Sequence, residues 1–89
     1  DNIYIDISKI QNSTGEFSEF IKYDSLRIGS YAYAKKLDHE CYLNLDGLVV
    51  LKVINKINQT RNISVHQENL NFIRSIPAKS TGTFIWPAQ

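Results

Sequence analysis

Leu43-Asn44-Leu45-Asp46-Gly47-Leu48-Val49-Val50-Leu51-Lys52-Val53-Ile54 is the stretch whose reading decides the fold. Asp46-Gly47 is a strong hairpin signal, because both residues tolerate the positive backbone angles of a tight turn. The run after it, Leu48 to Ile54, is the most apolar and β-branched in the chain. With Asp46-Gly47 as a two-residue loop, Leu45 faces Leu48, Leu43 faces Val50, Tyr42 faces Leu51 and Cys41 faces Lys52. Alternation then puts Cys41, Leu43, Leu45, Leu48, Val50 and Ile54 on one side. Val49, Leu51, Val53, Ile57 and Tyr42 fall on the other. A strand apolar on both sides is an interior strand. Lys52 is the misfit in this register, since it is sent among apolar neighbours.

Working outward, a second two-residue loop at Asn58-Gln59 is expected to pair Ile54 with Ile63 and Lys56 with Arg61. On the other side, Tyr31-Ala32-Tyr33-Ala34 alternates large and small before Leu37-Asp38-His39-Glu40 leads into the hairpin. Ile3, Ile5 and Ile7 alternate with Tyr4, Asp6 and Ser8, which predicts a half-buried strand over residues 2–10. Ser13 with Glu16 fits a capping box, and Phe17, Phe20 and Ile21 have helical spacing. These predict a short helix over residues 15–23, with a strand as the alternative because Ile21, Tyr23 and Ser25 also alternate. His66-Gln67-Glu68-Asn69 reads as one polar turn of helix, and Thr83-Phe84-Ile85-Trp86 as a short last strand stopped by Pro87.

The fold class expected is mainly β, at the margin α+β, over residues 1–89 as one domain. Its architecture is expected to be a small curled antiparallel sheet or an SH3-like or OB-like barrel of five to six strands with one short N-terminal helix. The order Leu26-Arg27-Ile28-Gly29-Ser30-Tyr31, followed by a hairpin of long strands, resembles SH3-like barrels.

With 89 residues, 43% hydrophobic and 21% charged, the chain is an ordinary globular domain with a small core. The net charge of +1 supplies no strong global field. The halves differ: residues 1–46 carry five basic and eight acidic side chains, net −3, and residues 47–89 carry five basic and one acidic, net +4. One cysteine rules out an internal disulfide. Together with the lack of a signal-peptide pattern, it favours an intracellular location. Asn12, Asn58 and Asn62 begin glycosylation acceptor triplets, easily met by chance in an Asn-rich chain. No apolar run approaches the ~18 residues that span a bilayer, so no membrane partner is expected. Starting at Asp1 rather than Met, the chain reads as a processed product or a fragment of a longer protein.

Candidate chemistry is thin. His39 and Cys41 share a strand face, the minimum for thiol catalysis, but no orienting residue accompanies them. His39, Cys41 and His66 have no metal-ligand spacing, and no Gly-rich phosphate loop exists. The chain is therefore expected not to be an enzyme, with no metal and no cofactor. Two readings remain. One is a non-catalytic interaction domain with a protein partner or self-association. Its apolar face would be Val49, Leu51, Val53 and Ile57, and its aromatic surface Tyr31, Tyr33 and Trp86. The other is a small nucleic-acid-binding module, with Lys52, Lys56, Arg61, Arg74 and Lys79 on phosphate and the aromatics stacking on bases.

Overall fold

The computed structural model describes residues 2–8, 25–32 and 36–88. The 15–23 segment and Tyr33 lie outside these. Eight strands are present among the described residues: β1 (Asn2–Ile7), β2 (Ser25–Ile28), β3 (Ser30–Ala32), β4 (Leu37–Asn44), β5 (Leu48–Asn55), β6 (Arg61–Gln67), β7 (Leu70–Ile76) and β8 (Thr81–Pro87). They form two four-stranded sheets, in the orders β3-β1-β6-β7 and β2-β4-β5-β8. The mainly β expectation holds, and the architecture is a sandwich of two sheets. All pairings are antiparallel except that of β1 with β6.

The hairpin forms where expected but one residue out of the expected register. Leu43 pairs with Val49, Cys41 with Leu51 and Glu40 with Lys52. The loop has three residues, Leu45-Asp46-Gly47. The Gly47 N–H donates to the Asn44 carbonyl at 3.0 Å. Gly47 then takes a φ of 86°, and the Asp46 carboxylate accepts from the Leu48 N–H at 3.0 Å. A turn followed by a left-handed glycine is the usual three-residue hairpin loop. The shift moves every β5 side chain to the opposite partner set. Cys41 and Leu43 now share the inner side with Val49, Leu51 and Val53, all buried. Lys52 points outward, opposite Glu40 on one neighbour and Thr83 on the other. Its misfit was an artefact of the two-residue loop.

The second hairpin does not form. After β5 the chain leaves one sheet and enters the other, so β5 pairs with β8 and β6 with β7. Asn55, continuing the inward series Val49, Leu51, Val53, is 1% exposed at this crossing. Its Nδ2 lies 2.8, 3.2 and 3.1 Å from the carbonyls of Gln59, Ile76 and Pro77. Its Oδ1 accepts from the Ile57 N–H at 3.2 Å. Those carbonyls sit where the strands end, and a buried backbone group needs a partner. Asn55 supplies it. Gly29 is the other crossing point, between β2 and β3. Its carbonyl accepts from the Ser8 N–H at 2.8 Å.

The expected turn of helix at residues 66–69 is instead the end of β6 and a tight loop at Glu68-Asn69, with Glu68 at φ 52°. Between the sheets lies one core drawn from both: Ile5, Ile7, Ile63, Val65 and Ile76 from one, Cys41, Leu43, Val49, Leu51, Val53 and Trp86 from the other. Trp86 joins them. Its ring meets the edge of Phe72 at 5.4 Å, and its Nε1–H donates to Gln67 Oε1 at 2.9 Å.

Candidate functional site

The placement of the core removes most of one expected surface and one member of another. Val49, Leu51 and Val53 are fully buried between the sheets, so they are not a partner face. Ile57 lies half-buried in the β5–β6 connection. Trp86 is 6% exposed and belongs to the core. Of the expected aromatics, Tyr31 on β3 is exposed.

The expected cations are divided between the sheets. Lys52 stands on the outer side of β5, and Lys56 is ion-paired with Asp38. Arg61 and Arg74 belong to the other sheet, where the Arg74 guanidinium lies 5.3 Å from the Phe72 ring centroid. Lys79 sits in the β7–β8 loop at φ 54°. A stripe of phosphate contacts needs clustered cations, and this distribution lends the nucleic-acid reading no support.

His39 and Cys41 do share the inner side of β4. Burial pushes the Cys41 thiol up to about 11, which leaves almost none of the reactive thiolate at neutral pH. Burial likewise lowers the His39 pKa below its ordinary 6.5, against the opposing pull of Asp38 and with a smaller push from Arg27. Its Nδ1 is hydrogen-bonded to the Ser30 hydroxyl at 2.6 Å, across to the other sheet. His66 is on the outer side of that other sheet, so the expected histidines and cysteine are not brought together. Among the described residues no three His, Cys, Asp or Glu side chains cluster as metal ligands would.

The His39 shift has a measurable consequence. A lowered pKa in the folded state means that the unfolded chain binds the proton more tightly. The associated stability is present above 6.5 and is lost as pH falls through the folded value. Unfolding temperature followed from about pH 8 down to about pH 5 should decline, and the decline should be shallower in His39→Gln. Parallel curves for the two proteins would exclude this role.

Two carboxylates, Asp38 and Glu40, share the outer side of β4. Each is occupied by a neighbour: Asp38 by Lys56, and Glu40 by the Tyr42 hydroxyl at 3.1 Å. Both border a shallow hollow of about 400 Å³ that also touches Arg27, Lys52 and Ile54. A second hollow of about 400 Å³ opens between the edge strands β7 and β8, over Phe72, Phe84 and Trp86.

The two outer surfaces differ in chemistry. On the β2-β4-β5-β8 sheet, Val50 stands between Tyr42 and Ile85, and Leu48 beside Pro87. Ile85 is 59% exposed there, and Leu45 in the adjoining β4–β5 loop is 57% exposed. On the β3-β1-β6-β7 sheet, the exposed groups are Tyr4, Tyr31 and Ile73 amid polar side chains. The Tyr4 ring lies parallel on the His66 ring, with centroids 3.9 Å apart and 3° between planes. Sequence reading missed this pair because the partners are 62 positions apart. The only local sign was Tyr4 on the polar side of the β1 alternation.

Such a molecule, two sheets closed on an aliphatic core with its distinctive groups on the outer surfaces, is a small β-sandwich module. It belongs to the glycosyl hydrolase family 30 beta sandwich domain, whose family model matches residues 24–84. The endo-β1,6-glucanase BT3312 shares its fold, with a TM-score of 0.69 and 23% identity over 73% of this chain and 14% of that one. SrfJ from Salmonella typhimurium is similar with a TM-score of 0.68 and 25% identity, over 73% of this chain and 15% of that one. The chain thus corresponds to a small part of the length of either protein. No curated protein matches it.

Proposed function

We propose that this chain is a non-catalytic sandwich domain of a larger glycoside hydrolase, and that its role is protein–protein contact with the remainder of that polypeptide. The observation that carries the reading is the aliphatic patch formed by Leu48, Val50 and Ile85 on the outside of the β2-β4-β5-β8 sheet, with exposed Leu45 in the adjoining β4–β5 loop. The interior is already closed, so this patch is not needed for the core. Its rim holds Arg27, Glu40 and Lys52. An apolar centre with a charged rim is the anatomy of a contact surface. The family match and the small share of the longer proteins that the chain covers support a partner within the same polypeptide. Glycoside hydrolysis needs an acid and a base or nucleophile across a sugar-binding cleft. Asp38 and Glu40, each already engaged beside a shallow hollow, are poorly suited to that task.

The test is Leu45→Glu combined with Ile85→Glu. In the isolated chain the change should be close to neutral, within about 0.5 kcal/mol, because both residues are exposed. In the longer polypeptide it should weaken the domain contact by about 2 kcal/mol and split one unfolding transition into two. Identical behaviour in both settings would remove this surface from the account.

A further inference from the structure

We propose that the outer surface of the β3-β1-β6-β7 sheet is a binding platform for a neutral polysaccharide chain. The proposal rests on the reading of the chain as a glycoside-hydrolase domain and adds a ligand site to it. Adjacent strands place Tyr31, Asp6, His66 and Asn71 in one row, and Tyr4, Ser64 and Ile73 in the next. Tyr4 and Tyr31 are 56% and 54% exposed. They are diagonal neighbours on paired strands, a relation that spans about 7–8 Å. Tyr4 is stacked against His66, whose Nε2 is hydrogen-bonded to the Ser64 hydroxyl at 2.8 Å and whose Nδ1 meets the Tyr4 hydroxyl at 3.3 Å. The stack fixes the phenol ring before any ligand arrives, which lowers the ordering cost of binding.

The chemistry selects the ligand. An aromatic face is electron-rich and attracts the weakly positive C–H face of a sugar ring. Asn71, Asn62 and Ser75, all exposed, offer both donors and acceptors, the complement of hydroxyl groups. The last two are hydrogen-bonded to each other at 2.7 Å. Among the described residues of this surface, Asp6 alone is charged. Nucleic acid requires cations here, and an aliphatic protein partner requires more than Ile73. Two rings set apart along a flat surface fit linked sugar units better than a single sugar.

The experiment is affinity electrophoresis of the 89-residue chain through gels containing a soluble linear β-1,6-glucan, a linear β-1,4-glucan or no polysaccharide. Retardation by at least one glucan is expected, unchanged when salt is raised. Tyr4→Ala and Tyr31→Ala should each weaken it about tenfold, while Thr83→Ala, exposed on the opposite sheet, should leave it intact. Circular dichroism of the two tyrosine variants should match the parent, since both residues are exposed. Overturning results are no retardation in either gel, or retardation that both tyrosine variants retain. Loss of the platform alongside an intact Leu45/Ile85 effect in the longer polypeptide would overturn this site and leave the domain assignment standing.

Discussion

Asn55→Ala should lower stability by on the order of 3 kcal/mol, read as an earlier urea midpoint at unchanged slope. That is a large share of what a domain of this size has in hand. The reason is accounting of buried hydrogen bonds. The Asn55 amide approaches the carbonyls of Gln59, Ile76 and Pro77 and accepts from the Ile57 N–H. Alanine leaves these groups without the partner that replaced water. Asn55→Asp is the sharper variant. It keeps the shape and the acceptor but points a carboxylate oxygen at three carbonyl oxygens. Aspartate should therefore cost more than alanine, the reverse of what side-chain size alone implies. An Asn55→Asp protein as stable as the parent would show that the crossing is held by something else.

Trp86→Ala should cost about 3–5 kcal/mol. The ring fills the space between the sheets against Phe72, and its N–H occupies Gln67 Oε1. Gln67 is itself 2% exposed and donates from Nε2 to the Ser8 carbonyl at 3.2 Å. The chain Ser8–Gln67–Trp86 thus ties the end of β1 to β6 and β8. Trp86→Phe separates packing from hydrogen bonding. It should retain part of the volume but strand the Gln67 amide, and adding Gln67→Leu should recover some of the loss. That non-additivity is the signature of a shared contact. Equal and additive losses would mean that the hydrogen bond contributes nothing. Because Trp86 is the sole tryptophan, unfolding of its variants is followed by circular dichroism rather than tryptophan fluorescence.

Much of the sandwich could be read from local pattern. The Ile3-Ile5-Ile7 alternation gave β1, Asp46-Gly47 gave the position of the main reversal, and the Leu48–Ile54 run gave an interior strand. The failures share one cause: each depended on a partner distant in sequence. Asp46-Gly47 suits a two-residue or a three-residue loop equally well. The choice rests on the Asn44–Gly47 hydrogen bond and on the left-handed Gly47, and it reverses which side chains face inward. Nothing near Asn58-Gln59 marks a change of sheet. The sign was Asn55 itself, a polar residue at the next inward position after Val49, Leu51 and Val53. β7 was obscured because Arg74 interrupts the inward series Leu70, Phe72, Ile76 and because Ile73 is exposed.

The same logic governs the site. Val49, Leu51 and Val53 looked like a surface in need of a cover only while the second sheet was unknown. Once β1, β6 and β7 supply that cover, the interaction surfaces move to the outer sides. The aliphatic patch then lies around Ile85, and the aromatic one around Tyr4 and Tyr31.

The claim that this is a non-catalytic module meets its most direct test in hydrolysis. The purified 89-residue chain, incubated with soluble linear β-1,6-glucan, should release no reducing ends above the buffer blank. Release that disappears in Asp38→Asn or Glu40→Gln would contradict it.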